Sequence, residues 1–161
     1  MALESIRERK GDIMGQDRLD QHLSEVYMVQ LIDRYMLDHY DENISLEQIA
    51  AQFGYETGYF SKLMKRFLGA SFIQYRNWIR VEIALVFLRK TNRSITDVAN
   101  YSGFSTVRNF NQVFLKITGF TPTQVRQMDD AVLNDALAIP EKQMAVRRMI
   151  RGKFLLEDRR R

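Results

Sequence analysis

The chain says the same thing twice. Ser45, Ile49, Ala50 and Gly54 recur 49 positions later as Ser94, Val98, Ala99 and Gly103. Beyond the turn, Phe60, Gly69, Ser71, Gln74 and Arg76 recur 50 positions later as Phe110, Gly119, Thr121, Gln124 and Arg126. The change of step places a one-residue insertion at the head of the second unit's second helix. Each unit reads as a small apolar-faced helix (Leu46 to Phe53, Ile95 to Ser102), a glycine turn and a longer helix (Thr57 to Leu68, Thr106 to Thr118). Ala50 and Ala99 fall where two helices would cross closely, and Gly54 and Gly103 where the chain must turn with positive φ. This is the sequence shape of a helix-turn-helix. Two copies in register are a far stronger signal than one.

Four helix starts carry the same mark: S-x-x-Q at Ser45 and Ser71, S-x-x-D at Ser94 and T-P-x-Q at Thr121. In each, the hydroxyl can accept from the N3 amide while the N3 side chain reaches back, and Pro122 takes the N1 place that proline tolerates. An all-α repeat that merely stacks helices is the plainer alternative.

The stretches ISLEQIAAQFGY, YFSKLMKRFLGASFIQYR, ITDVANYSGF and FNQVFLKITGFTPTQVR resemble the AraC/XylS family of bacterial transcription regulators. The resemblance runs from about Val26 to Met128, nearly gap-free across both motifs. It implies an all-α DNA-binding domain of seven helices, in which two homeodomain-like helix-turn-helix subdomains (45–68 and 94–118) are joined by a long linker helix (72–90). It also implies a role in activating or repressing promoters, with activation the expectation, and RNA polymerase as a partner beside double-stranded promoter DNA. Most members of the family carry a separate sensing or dimerising domain. The 25 polar residues before Val26 are too few to be one, so no small-molecule sensing domain is expected in this chain.

Charge is distributed accordingly. Residues 1–53 hold 5 Lys/Arg against 11 Asp/Glu, residues 54–126 hold 11 against 3, and residues 127–161 hold 8 against 6. The repeats therefore carry +8 of a total of +4, which suits a polyphosphate partner; a solvated helical surface is the alternative. There is no cysteine, hence no disulfide or thiolate metal site, and the longest apolar run, Ile83 to Leu88, is far short of the ~20 residues of a membrane helix. A soluble, cytoplasmic protein is expected, with no cofactor and no metal. His22 and His39 are the only histidines and read as surface residues. No nucleophile elbow, phosphate loop or carboxylate pair suggests an enzyme.

Helical spacing turns Phe60, Leu63, Met64 and Phe67 inward and leaves Thr57, Gly58, Ser61 and Lys62 as the base-edge candidates of the first unit. Tyr59, Lys65 and Arg66 are expected at the DNA backbone. Family members often carry a larger base-reading side chain where Gly58 stands, so the first unit is expected to read weakly. In the second unit Phe110, Val113, Phe114 and Ile117 turn inward, leaving Thr106, Val107, Arg108, Asn111 and Gln112 to read bases: Arg suits guanine, Asn or Gln adenine, and Val107 a thymine methyl. Val125 replaces an aromatic residue and Leu115 a lysine usual in the family.

The linker helix spans ~28 Å at ~1.5 Å per residue against about 34 Å between successive major-groove faces, so bent DNA or a tilted second unit is expected. Along and beyond it, Arg76, Arg80, Arg89, Lys90, Arg93 and Lys116 are candidates for phosphate contact. Residues 1–25 read as a flexible lead and Val26 to His39 as a helix with an apolar stripe. Residues 129–161 read as a helical, basic extension, with helices over Asp129 to Ile139 and Glu141 to Leu156 and a terminal Arg159-Arg160-Arg161. A sequence-tolerant DNA-bending protein and a protein-interaction module docking on RNA polymerase or another regulator are the two alternatives.

Overall fold

The computed structural model describes residues 27–137, without the side chains of residues 134–136. The expected lead of residues 1–25, the helix over Glu141 to Leu156 and the terminal arginines lie outside the described residues. All regular structure among the described residues is helical. The chain forms two compact units divided after Tyr35. The described part of the first is helical, with Ile32 and Asp33 buried; the same helix, α1, runs over residues 27–38.

The second unit contains the repeat. Its helices are α2 (Leu46–Gln52), α3 (Thr57–Leu68), α4 (Phe72–Lys90), α5 (Ile95–Tyr101), α6 (Val107–Thr118), α7 (Pro122–Gln127) and α8 (Asp130–Ala136). The hydroxyls of Ser45, Ser71 and Thr121 accept from the amides of Gln48, Gln74 and Gln124, and each glutamine side chain returns to the cap amide. At α5 the return differs: Ser94 Oγ donates to Asp97 Oδ2 at 2.7 Å. Aspartate is one methylene shorter than glutamine, and it meets the hydroxyl instead of the amide.

In the first helix-turn-helix α3 packs on α4, and in the second both α5 and α6 do. Helix α2 packs on α3, while α4 meets α5, α6 and α7. Ala50 and Ala99 are fully buried. Phe60 lies under Phe53 and Tyr55, with ring centroids 6.0 and 6.1 Å away, and Phe110 sits between Phe104 and Phe114 at 5.2 and 5.3 Å. The second core gathers Val81, Ala84, Leu85 and Leu88 of α4 with Val98, Phe110, Phe114 and Val125. Of the residues expected to face inward, Ile117 is the exception: it is exposed, and Thr118, whose hydroxyl donates to the Phe114 carbonyl, takes the buried place. The inserted residue, Ser105, falls in the turn before the cap of α6, so the insertion lengthens the loop and leaves the helix intact.

Four arginines tie the elements together. Arg76 donates to the carbonyl of Ile44 at 2.9 Å and Arg126 to that of Arg93 at 2.6 Å. Ile44 and Arg93 each precede the serine that caps their unit's first helix, so the two arginines make the same brace in both copies. Arg80, only 6% exposed, donates to Tyr40 O at 2.7 Å and Glu42 O at 3.0 Å and lies over the Phe104 ring. Arg89 donates to the carbonyls of Val125 and Met128 and pairs with Asp130.

Candidate nucleic-acid interface

Helices α3 and α6 are the second helices of the two units, twelve residues each, and both end on a glycine in the left-handed region, Gly69 and Gly119. Their inner faces are alike; their outer faces are not.

On α6, Arg108, Asn111 and Gln112 are exposed. Positions i, i+3 and i+4 share one face of a helix, so a guanidinium and two carboxamides stand together. Leu115, one turn further on, is 47% exposed, and Lys116 is exposed beside it. Two expected readers hold additional roles. Thr106 is the cap of α6, its hydroxyl accepting from the Asn109 amide at 3.2 Å, and Val107 is half-buried against the second core. The expectation that Val107 faces out is corrected: only part of its side chain is left to meet a base.

On α3, Lys62, Lys65 and Arg66 are exposed, Thr57 and Ser61 half-buried, and Tyr59 is 56% exposed. Arg66 also lies over the Phe67 ring at 5.0 Å. The N-terminus of α3 holds a residue that the sequence reading passed over. Glu56 is the cap, its two oxygens accepting from the amides of Gly58 and Tyr59, both at 2.9 Å. Those amides hold the Glu56 carboxyl below its usual range, and the charge of Lys62 adds to the effect. Gly58, expected as a weak reader, has a second meaning: a Cβ there would lie 3.1 and 3.3 Å from the Glu56 oxygens. A glutamate directly before a helix that begins Thr-Gly was the available signal.

The expected phosphate contacts divide. Arg80 is buried, with Nε donating to the Tyr40 carbonyl and Nη2 to that of Glu42, so it does not stand at the surface among the cations expected at the DNA backbone. Burial above all, with the neighbouring Arg76 adding and Asp41 opposing, lowers its pKa to about 10; it is still charged at neutral pH. Arg76 is half-buried and bonded to Ile44, with its pKa lowered by burial, and Arg89 is committed to α7 and α8, so neither stands free as a surface cation. Arg93 lies over the Tyr101 ring at 4.3 Å. His39, read as a surface residue, pairs with Glu42 at 2.6 Å. The recurrence of Arg76 as Arg126, in step with core residues, was the signal that these arginines brace the fold.

This arrangement, two helix-turn-helix units flanking one long helix with a polar recognition face on each, defines the class: a double helix-turn-helix domain. The profile of a helix-turn-helix domain family matches residues 49–128. The chain is 30% identical over 99 residues to the transcriptional activator RhaS of Klebsiella pneumoniae, covering 62% of this chain and 36% of that protein. Among solved structures it resembles the C-terminal domain of AraT, a response regulator from Geobacillus stearothermophilus, with a TM-score of 0.59 and 29% identity over 63% of this chain and 88% of that one. It also resembles a transcriptional regulator with an AraC-type DNA-binding domain from Chromobacterium violaceum, with a TM-score of 0.56 and 26% identity over 58% and 84%. The chain belongs to the AraC/XylS family of helix-turn-helix transcription regulators. It spans 15% of the length of Staphylococcus aureus regulators to which it is 30% identical. No described helix is long and apolar enough to cross a membrane.

Proposed function

We propose that the chain binds promoter DNA sequence-specifically, α3 and α6 entering two major-groove half-sites about one helical turn apart, and that it activates transcription. The observation that carries this reading is the outer face of α6. Arg108, Asn111 and Gln112 match the hydrogen-bonding edges of guanine and adenine and are exposed together, while the core beneath fixes the helix that presents them. Lys65, Arg66 and Lys116 supply charge for the phosphates, with Tyr59 and Arg93 as further backbone contacts, and Lys62 meets a guanine edge in the first half-site. The nineteen residues of α4 span ~28 Å, short of the ~34 Å between groove faces, so the bound duplex bends or the second helix-turn-helix is tilted. Residues 45–118 form the reading module, and RNA polymerase is the partner through which a bound activator acts.

The test is selection of bound duplexes from a randomised pool of about 30 bp at two salt concentrations. Two short motifs about 10 bp apart, surviving the higher salt, are expected. Arg108→Ala and Asn111→Ala should each relax preference at particular base pairs of one motif by about 1–3 kcal/mol. Retention without enrichment, lost with salt, would leave a basic surface that binds DNA and does not read it.

A further inference from the structure

Glu56 places a carboxylate at the N-terminus of α3. Resting on the reading just proposed, we propose that Glu56 is a specificity-determining residue of the first half-site, selecting cytosine by accepting from its N4 amino group.

The N-terminal residues of a recognition helix are those nearest the base edges, and Glu56 is the exposed cap of α3. Its orientation is fixed, because each oxygen accepts from a different backbone amide, Gly58 to Oε1 and Tyr59 to Oε2. One bond per oxygen leaves acceptor capacity on both. Gly58 leaves the seat uncrowded, since a Cβ at that position would lie 3.1 and 3.3 Å from the two oxygens and push them by a few tenths of an ångström. The second unit has neutral Thr106 at the equivalent cap, so the carboxylate belongs to the first half-site alone.

Groove chemistry then narrows the partner. A fixed carboxylate brought among base edges must meet a donor, or it loses its water without compensation. The major groove offers two donors, cytosine N4 and adenine N6. Beside adenine N6 stands the N7 acceptor, which repels the second oxygen, and guanine and thymine present acceptors only. Cytosine is the base whose edge satisfies Glu56. Lys62, close enough for its charge to act on Glu56, suits guanine O6/N7, so the pair favours G·C composition in this half-site.

The experiment is the same duplex selection, run on the 161-residue chain and on its Glu56→Gln and Glu56→Ser variants. Serine is itself a favoured cap, so α3 keeps its start. The expected result is enrichment of cytosine at one position of the first motif by the parent chain, lost about five- to hundredfold in both variants, with the second motif unchanged. A rise in affinity for all sequences alike, with no position changing its preferred base, would make Glu56 a mere repeller of phosphate and overturn the assignment, while the intact second motif would show that DNA reading itself stands. If the parent enriches no motif, the assignment and the proposed function fall together.

Discussion

Helices α3 and α6 have the same length, the same left-handed glycine at their ends and the same phenylalanine one turn in, yet they face outward with different chemistry. The first presents a carboxylate cap, a glycine and lysines. The second presents a hydroxyl cap, an arginine and two carboxamides. Packing constrains the inner face, because a core position cannot change volume freely. The outer face answers to no such limit and is free to diverge. The duplication therefore preserved a scaffold and let the surfaces diverge, with α6 holding more of the side chains that distinguish bases.

The sharpest way to break the apparent equivalence of the two units lies in their turns. Gly54 and Gly103 both have positive φ, +73° and +84°, but their surroundings differ. Around Gly54 an added Cβ meets nothing within 4 Å, whereas at Gly103 it would lie 2.8 Å from Asp41 Cα and Tyr40 O and 2.9 Å from Arg80 Nε. Gly54→Ala should cost about 1–2 kcal/mol, the left-handed penalty alone. Gly103→Ala should add overpacking against backbone and cost about 3–5 kcal/mol. Urea unfolding midpoints decide; equal losses would mean that the second turn is no more tightly packed than the first.

A second contrast separates braces from readers. Arg80→Met leaves the carbonyls of Tyr40 and Glu42 without their donor and should destabilise by about 2–4 kcal/mol, with base preference unchanged in the protein that remains folded. Lys62→Met, on the exposed face of α3, should stay within ~0.5 kcal/mol of the parent in stability while weakening DNA binding. Thermal melts and titrations with a selected duplex measure both. Arg80→Met with parental stability and uniformly weaker binding would return Arg80 to the phosphate contacts.

The inner faces and helix starts were legible in the sequence because they obey local rules. Ser45, Ser71 and Thr121 announce their helices by spacing alone, and Phe60, Phe110 and Phe114 recur at helical intervals. What was illegible depended on distance along the chain. Nothing near Arg80 says that its guanidinium reaches carbonyls 40 and 38 residues earlier, and a basic residue on a long helix reads equally as a brace or a phosphate contact. Val107 and Ile117 were misplaced because periodicity fixes the middle of a helix better than its ends, where the direction of the core changes with the turn. Glu56 was missed for the opposite reason: its role is local, but glutamate is an uncommon cap, and the glycine two residues on leaves its oxygens uncrowded.

The smallest expected effect sharpens the difference between the two caps. The amides of Gly58 and Tyr59 hold the Glu56 carboxyl below the ordinary glutamate range, so the folded state favours the charged form. Such a group contributes stability above its unfolded pKa and loses that contribution as pH falls through the lower folded value. Thr106 caps α6 without titrating. In Glu56→Thr both units start alike, and the other carboxylates, Glu47 among them, contribute equally to parent and variant. Their effects cancel in the difference. The stability of the parent relative to Glu56→Thr should therefore be constant above about pH 5 and fall below it, toward the variant's favour, as unfolding by urea at stepped pH would show. A difference independent of pH would mean that the carboxylate's charge does no more for the helix than a hydroxyl does.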